Sequence, residues 1–370
     1  MNEINKVRYS YLPQQFAEID DLLLQIKDFV KTGDFTLGAP LTEFEEKFAK
    51  LMGSKYAIGV NSGTDAIKLS LKSLGVGYGD EVITAANTFI ATVGAINEIG
   101  AIPVFVDCDD TFCMDTNLLE DAITSKTKAI VPVHFTGYMT DMEKLLPIAE
   151  KYNLPVVEDA CQGILAAING KNSGTWGNCG AFSLHPLKNL NVWSDGGIII
   201  TDDFDLCAKL RLLRNHGMKN RDEISVMGYN SRLDTIQAVV GNWLIPQTED
   251  IANKRISNAK YYDDHLGKIN GIRIPPRPEK MKLVYHLYIV FAEKRDELLK
   301  YCLEKGIEAK IHYPIPLYLQ EGLSFLNYKK GQFPVTEKHT NEIITFPVDQ
   351  HLSIDEIDYV IKVVNEFYKK

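Results

Sequence analysis

Lys188, in "FSLHPLKNLNVWSDGG" (Phe182–Gly197), stands just past a β-like run, "GAFSLH", that Pro186 interrupts. On composition grounds a lysine is an ordinary solvated charge. Placed at the end of a strand it can instead present an amine for covalent chemistry. Asp159 closes the apolar run "PVVED". A carboxylate there is largely buried, so it must cap a loop, pair with an arginine, or meet some other cation. The junction Asn61–Ser62–Gly63–Thr64 joins a strand to a helix. It offers either a plain N-cap or a phosphate seat built from hydroxyls and free helix-start amides.

One cofactor gives all three features a task. Pyridoxal 5′-phosphate takes a lysine amine in a Schiff base, needs an acid that keeps its pyridine nitrogen protonated, and needs a phosphate pocket. No G-x-G-x-x-G follows a strand, so a dinucleotide does not compete. The eight histidines are scattered and no pair has helical ligand spacing, so no metal site is expected.

These residues are positioned by an alternation of short β-rich runs and helical patterns over the first two-thirds of the chain. "YAIGV", "DEVITA", "IPVFVD", "AIVPVHF" and "PVVEDA" read as strands, with "TDAIKLSLKSLG", "FIATVGAINEIG" and "DMEKLLPIAEKYN" as helices between them. Runs that are apolar without alternation suit strands covered on both faces. The expected fold is therefore α/β, a mostly parallel sheet wound with helices, and ligands sit beyond the carboxyl ends of such strands. "LTEFEEKFAKLMG" reads as a helix with Thr42 and Glu45 as its capping box and Gly53 as its stop. After Pro246 the texture changes. A long polar helix, "TEDIANKRISNAKYYDDHLGKI", leads to the strand candidates "GIRIPP", "VYHLYIVF" and "AKIHYPI". The end is an amphipathic helix capped by Ser353 and Glu356, with Ile354, Ile357, Ile361 and Val364 on one face. The expectation is a large cofactor-binding domain with an N-terminal arm over 1–245 and a smaller α+β domain over 246–370.

The 370 residues carry a net charge of −9, with 45% hydrophobic and 24% charged residues. That balance fits a globular protein and disfavours nucleic acid as a partner. No signal-peptide core or membrane-length apolar run is visible. The six cysteines include no C-x-x-C pair, which suits buried residues or free thiols in a reducing cytoplasm.

Taken in order, "GDFTLGAPLTEFEEKFA", "VNSGTDAI", "ANTFIATVGAI", "VPVHFTG", "VVEDACQ", "GAFSLHPLKNL", "DGG", "NHG", "GYNSRLDTIQA" and "IHYPIPLYLQ" resemble the motifs of the DegT/DnrJ/EryC1/StrS sugar aminotransferases. That family has the aspartate aminotransferase fold, fold type I of the pyridoxal-phosphate enzymes. The resemblance implies that Lys188 carries the cofactor and shuttles a proton, that Asp159 pairs with the ring nitrogen, and that Gln162 approaches the ring oxygen. It further implies that Phe89 stacks on the ring unless it is only a core aromatic, and that Gly63, Thr64 and Ser183 hold the phosphate. Asn230 would reach the phosphate of a neighbouring subunit, making the protein a homodimer with shared sites. His185, Lys219, His312 and Tyr313 lie in segments that face the nucleotide sugar in relatives, although His185 could be structural and Lys219 a solvated charge.

The implied reaction moves an amino group from L-glutamate, by way of pyridoxamine 5′-phosphate, to a 3- or 4-keto-6-deoxyhexose linked to a nucleoside diphosphate. The product would be an amino sugar for a surface glycan or other glycoconjugate. A sugar dehydrase or cyclitol transaminase of the same fold, and a cofactor-binding sensor, are the alternatives. Some relatives that dehydrate sugars have histidine at the lysine position, and Lys188 favours transamination. The loop departs from the family's "KNLGxxGDGG" at Asn191 and Ser194, and its Trp193 either shapes the sugar pocket or packs at a subunit interface.

Overall fold

A computed structural model of the chain describes residues 6–369. Seven segments build the main sheet: β1 (Tyr56–Val60), β2 (Glu81–Ala85), β3 (Ile102–Val106), β4 (Thr127–Val131), β5 (Val157–Asp159), β6 (Cys179–Ser183) and β7 (Gly197–Thr201). They form a three-stranded run, β3-β2-β4, and a four-stranded run, β5-β6-β7-β1. Parallel bridges Ile130↔Val156 and Val133↔Asp159 join the two runs. The pairs β2–β3, β2–β4 and β5–β6 are parallel, while β7 runs against both of its neighbours. The strands are almost wholly buried because helices cover both faces. The expectation of a mostly parallel, wound sheet holds.

Register brings the expected residues to one edge. Asp159 pairs with Ala181, Ser183 with Gly197, and Gly197 with Val60. Gly197 is required at this crossing, since a Cβ there would lie 2.2 Å from the carbonyl oxygen of Ser62.

The helix read from "LTEFEEKFAKLMG" starts earlier than its sequence suggests, and Thr42 and Glu45 do not cap it. It spans Ala39–Met52 after Gly38, with Pro40 in its first turn, and the Asp34 carboxylate accepts from the Ala39 amide at 3.0 Å. Proline is pre-set for a helix's first turn, so the start moves there. Glu45 is buried instead, accepting from the Gly59 amide at 2.8 Å and pairing with Arg214. Gly53 ends the helix at φ +79°, as expected.

A second, antiparallel sheet follows the long helix Thr248–Leu266: β8 (Ile272–Arg273), β9 (Tyr288–Ala292) and β10 (Ile343–Phe346), in the order β8-β9-β10. "AKIHYPI" is not one of its strands. It makes a single bridge, Lys310↔Thr345, and Pro314 and Pro316, which cannot donate to a ladder, end any extension of it. The third strand is "IITF", which the sequence reading passed over. The C-terminal helix Ile354–Tyr368 has the expected capping box, Glu356 N–H to Ser353 Oγ at 3.3 Å and Ser353 N–H to Glu356 Oε2 at 2.9 Å. Its buried stripe is Ile357, Val360, Val363 and Val364. Ile354, the first helical residue, is half exposed, and Ile361 is only partly covered.

Candidate active site

The carboxyl edge of the main sheet opens into a cavity of about 340 Å³. Gly63, Thr64, Phe89, Asp159, Gln162, Ser183, His185, Lys188, His312 and Tyr313 all line it. Ten residues from five sequence segments thus converge on one space. Lys219 and Asn230 do not. Lys219 is exposed on a turn where its amide donates to the Glu223 carbonyl. Asn230 is exposed and lines a separate concavity with Phe35, Asn61 and Arg232.

The floor is built from hydrogen bonds. Asp159 is buried at 5% exposure. Its Oδ2 accepts from the Thr92 hydroxyl at 2.7 Å and its Oδ1 from the Cys161 amide at 3.2 Å. Thr92 is held by Thr88 at 2.7 Å. No lysine or arginine among the described residues pairs with Asp159, so a buried carboxylate faces the cavity without a cation on it. Beside it, Glu158 accepts from the amides of Gly174, Trp176 and Gly177 at 2.7–2.8 Å and meets His134 Nε2 at 2.8 Å. Because the Thr140 amide donates to His134 Nδ1, Nε2 carries the proton and donates to Glu158.

Gln162, on the cavity lining, accepts at Oε1 from the Thr136 amide at 2.7 Å, which leaves its NH₂ group as the donor end of the side chain. Ser62 caps the helix Gly63–Ser73 by accepting from Asp65 N–H. Gly63 and Thr64 are then the first two helical residues, whose amides have no intrahelical acceptor. A Cβ on Gly63 would lie 2.8 Å from Ser183 Cβ and 2.9 Å from Cys161 Sγ. A glycine and a serine hydroxyl therefore meet at a helix N-terminus, the chemistry of an anion seat. Both the plain cap and the free amides are present.

Burial pulls the Lys188 amine below its ordinary value, with Cys161 and the Asp159 carboxylate opposing. His185 is lowered by burial and by the charge of Lys188. His312 is pulled down to about 4 by burial and then by Lys310 and Lys188, and its Nδ1 lies 2.9 Å from Thr345 Oγ1. Burial raises the Tyr313 phenol. Phe89 is 49% exposed, with its ring centroid 5.9 Å from that of Tyr313.

Several residues of the cavity or just behind it are not ones that the motifs alone pick out. Thr92 lies one turn beyond Phe89, a spacing that the motif "NTFIAT" carries in plain view. His286, a lone histidine inside an apolar run, is pushed well below its ordinary value by burial and neighbouring cations. Tyr9 arrives on an arm whose Val7 bridges Ile307, a pairing with no local signal. Lys310 and Asp195 complete the wall. Trp193 is not among the lining residues. It takes a left-handed φ of +71° and packs edge-on against Phe16 at 5.8 Å. All six cysteines are free thiols. Among the described residues there is no three-residue metal-ligating cluster, and no helix is long and apolar enough to cross a membrane.

The residues present fit pyridoxal phosphate: an amine held towards its neutral form, a buried carboxylate awaiting a cation, and an anion seat, all on one cavity. Comparison with known proteins points the same way. The family model of the DegT/DnrJ/EryC1/StrS aminotransferases matches residues 17–365. A "pleiotropic regulatory protein" of Geobacillus stearothermophilus is 40% identical over 97% of both chains. The dTDP-3-amino-3,4,6-trideoxy-alpha-D-glucose transaminase of Micromonospora megalomicea is 38% identical, again over 97% of both. The crystal structure of NtdA from Bacillus subtilis with bound cofactor PMP superposes with a TM-score of 0.94 at 31% identity, covering 100% of this chain and 86% of that one. The chain belongs to the DegT/DnrJ/EryC1/StrS aminotransferase family.

Proposed function

We propose that the Lys188 cavity moves an amino group from L-glutamate to a nucleotide-linked 3- or 4-keto-6-deoxyhexose, with pyridoxal 5′-phosphate as cofactor and its pyridoxamine form between the two halves. The observation that carries this reading is the buried Asp159 carboxylate, unpaired by any lysine or arginine, across the same cavity from the depressed amine of Lys188. When bound, the cofactor supplies an electron sink for the donor's α-carbon and stores the amino group.

Asp159, oriented by Thr92 and the Cys161 amide, holds a proton on the ring nitrogen. The helix-start amides of Gly63 and Thr64 and the Ser183 hydroxyl hold the phosphate. Gln162 would offer its NH₂ to the ring oxygen, and Phe89 would cover a ring face. Lys188 would hold the cofactor by its amine, and that amine, once free, would take and return the proton at the donor's α-carbon. An ordinary lysine, with a pKa near ~10.4, is too basic for that task at neutral pH, and enclosure lowers it. His185, His312 and Tyr313 contact the sugar.

Asn230 stands outside this chain's cavity and serves that of a second copy, which makes the enzyme a homodimer, while Lys219, exposed and outside the cavity, is a solvated charge. The free thiols suit a cytoplasmic protein, and the chain divides at 245/246 into cofactor-binding and smaller domains. The test is the visible absorbance of the holoenzyme before and after L-glutamate. Bleaching that disappears in Lys188→Ala supports the reading, and near-normal turnover in that variant overturns it. A relative named as a regulator gives the sensor reading its footing, and a bound cofactor indifferent to every amino donor would select it.

A further inference from the structure

One cation of the cavity wall has no task in moving protons. Lys310 is pinned to the second sheet, its amide donating to the Thr345 carbonyl at 3.0 Å and its carbonyl accepting from the Thr345 amide at 2.8 Å. Its ammonium lies 3.9 Å from the centroid of the Tyr9 ring, a cation–π contact that fixes the long side chain. Among the described residues no carboxylate lies within ion-pair distance of it. Glu308, two residues away, is taken by Lys6 at 3.0 Å and by the Tyr9 amide at 2.9 Å. Most surface lysines wave in solvent. This one is held on an aromatic face at the lip of a cavity, with no direct salt-bridge partner among the described residues.

Its place along the wall narrows what it meets. Lys310 and His312 are two apart in an extended segment and so share a side. His312 feels the charges of both Lys310 and Lys188, and all three line the one cavity. His312 and Tyr313 are uncharged hydrogen-bonding groups at neutral pH. The wall therefore runs from the reacting amine, across a neutral hydrogen-bonding patch, to a fixed cation. A nucleotide-linked ketohexose has the same order: carbonyl carbon, hydroxylated ring, diphosphate. Glutamate places two methylenes between its reacting carbon and its distal carboxylate, and a hydrogen-bonding patch does nothing for methylenes.

We propose that Lys310, braced on Tyr9, binds the diphosphate of the sugar nucleotide. This rests on the nucleotide-linked reading above and names the residue that enforces it.

The test titrates holoenzyme with dTDP and with UDP in wild type, Lys310→Met and Lys310→Arg, at low and high salt. Lys310→Met is expected to weaken both nucleotides about tenfold and to flatten the salt dependence, with Lys310→Arg restoring most of the loss. In turnover the loss should fall mainly on KM for the keto-sugar rather than on kcat. Equal nucleotide affinity in wild type and Lys310→Met overturns the assignment. So does a larger loss in the glutamate dependence of the first half-reaction than in nucleotide affinity, because Lys310 would then read the donor. If the wild type bleaches with glutamate yet binds neither dTDP nor UDP, the nucleotide-linked reading itself falls.

Discussion

The floor and the outer wall of the cavity are made differently. On the floor the carboxylates and the amide are held by other groups: Asp159 by Thr92 and an amide, Glu158 by three amides and His134, Gln162 by Thr136. These residues sit on strand ends or immediately after them, where the sheet fixes the backbone. The outer wall comes from an N-terminal arm, the irregular segment around His312 and the loop after Lys188. Its members are half-exposed aromatics, depressed histidines and an unpaired lysine. A rigid, saturated frame suits chemistry that never varies, and irregular segments suit a substrate that does.

If that division is real, changes to the floor should abolish chemistry whichever sugar is offered. Asp159→Asn keeps the shape and removes the charge, so both half-reactions should slow by about 10²–10³-fold with the fold intact. Stopped-flow bleaching with glutamate reads the first half alone. A slow sugar half beside a normal glutamate half would move Asp159 to the wall. Glu158→Ala tests the frame beneath. It strands three backbone donors and the His134 N–H in the interior, at a cost of about 3 kcal/mol or more. Denaturant unfolding should show this loss, while the residual folded enzyme keeps its donor and sugar preferences.

The sequence made the floor far more legible than the wall, for a physical reason. Asp159, Ser183 and Lys188 follow apolar runs that announce strand ends, and Gly63 and Thr64 follow a strand before a helical period, so local patterning places them. Lys310, Tyr9 and His286 depend on contacts between distant segments. The Val7–Ile307 bridge and the Lys310–Thr345 pairing have no local period to read. The missed strand Ile343–Phe346 belongs to the same long-range class. Local patterning can also mislead: the helix start at Ala39 is set by Asp34 and Pro40 rather than by the tidier Thr42/Glu45 pattern.

The wall should respond to pH through its buried histidines. His312 ordinarily titrates near 6.5 and is lowered to about 4 in the folded protein. Between those values the unfolded chain binds a proton that the native chain refuses. Stability therefore rises with pH through the window 4 to 6.5 and is flat above it, by on the order of 2–3 kcal/mol from this residue. His286 is lowered as well and acts in the same direction. His312→Gln should flatten the dependence of Tm on pH between 4.5 and 7. An unchanged slope would mean that the burial of His312 is relieved in solution.

Trp193 gives the finest discrimination. Its left-handed φ of +71° costs a non-glycine residue about 1–2 kcal/mol. Its edge contact with Phe16, which itself stacks on Trp243 at 6.1 Å, returns about 0.5–1.5 kcal/mol. Trp193→Gly relieves the strain, loses the contact and gives the unfolded chain more freedom, so stability should shift by no more than about 1 kcal/mol. The ring borders the Lys188 loop without lining the cavity. A wall residue of this kind should alter the apparent KM for the keto-sugar by a few-fold through the path of the loop, and alter bleaching by glutamate less. If glutamate bleaching slows more than sugar turnover, the loop holds Lys188 itself in place, and the boundary between floor and wall runs through Trp193 rather than beyond it.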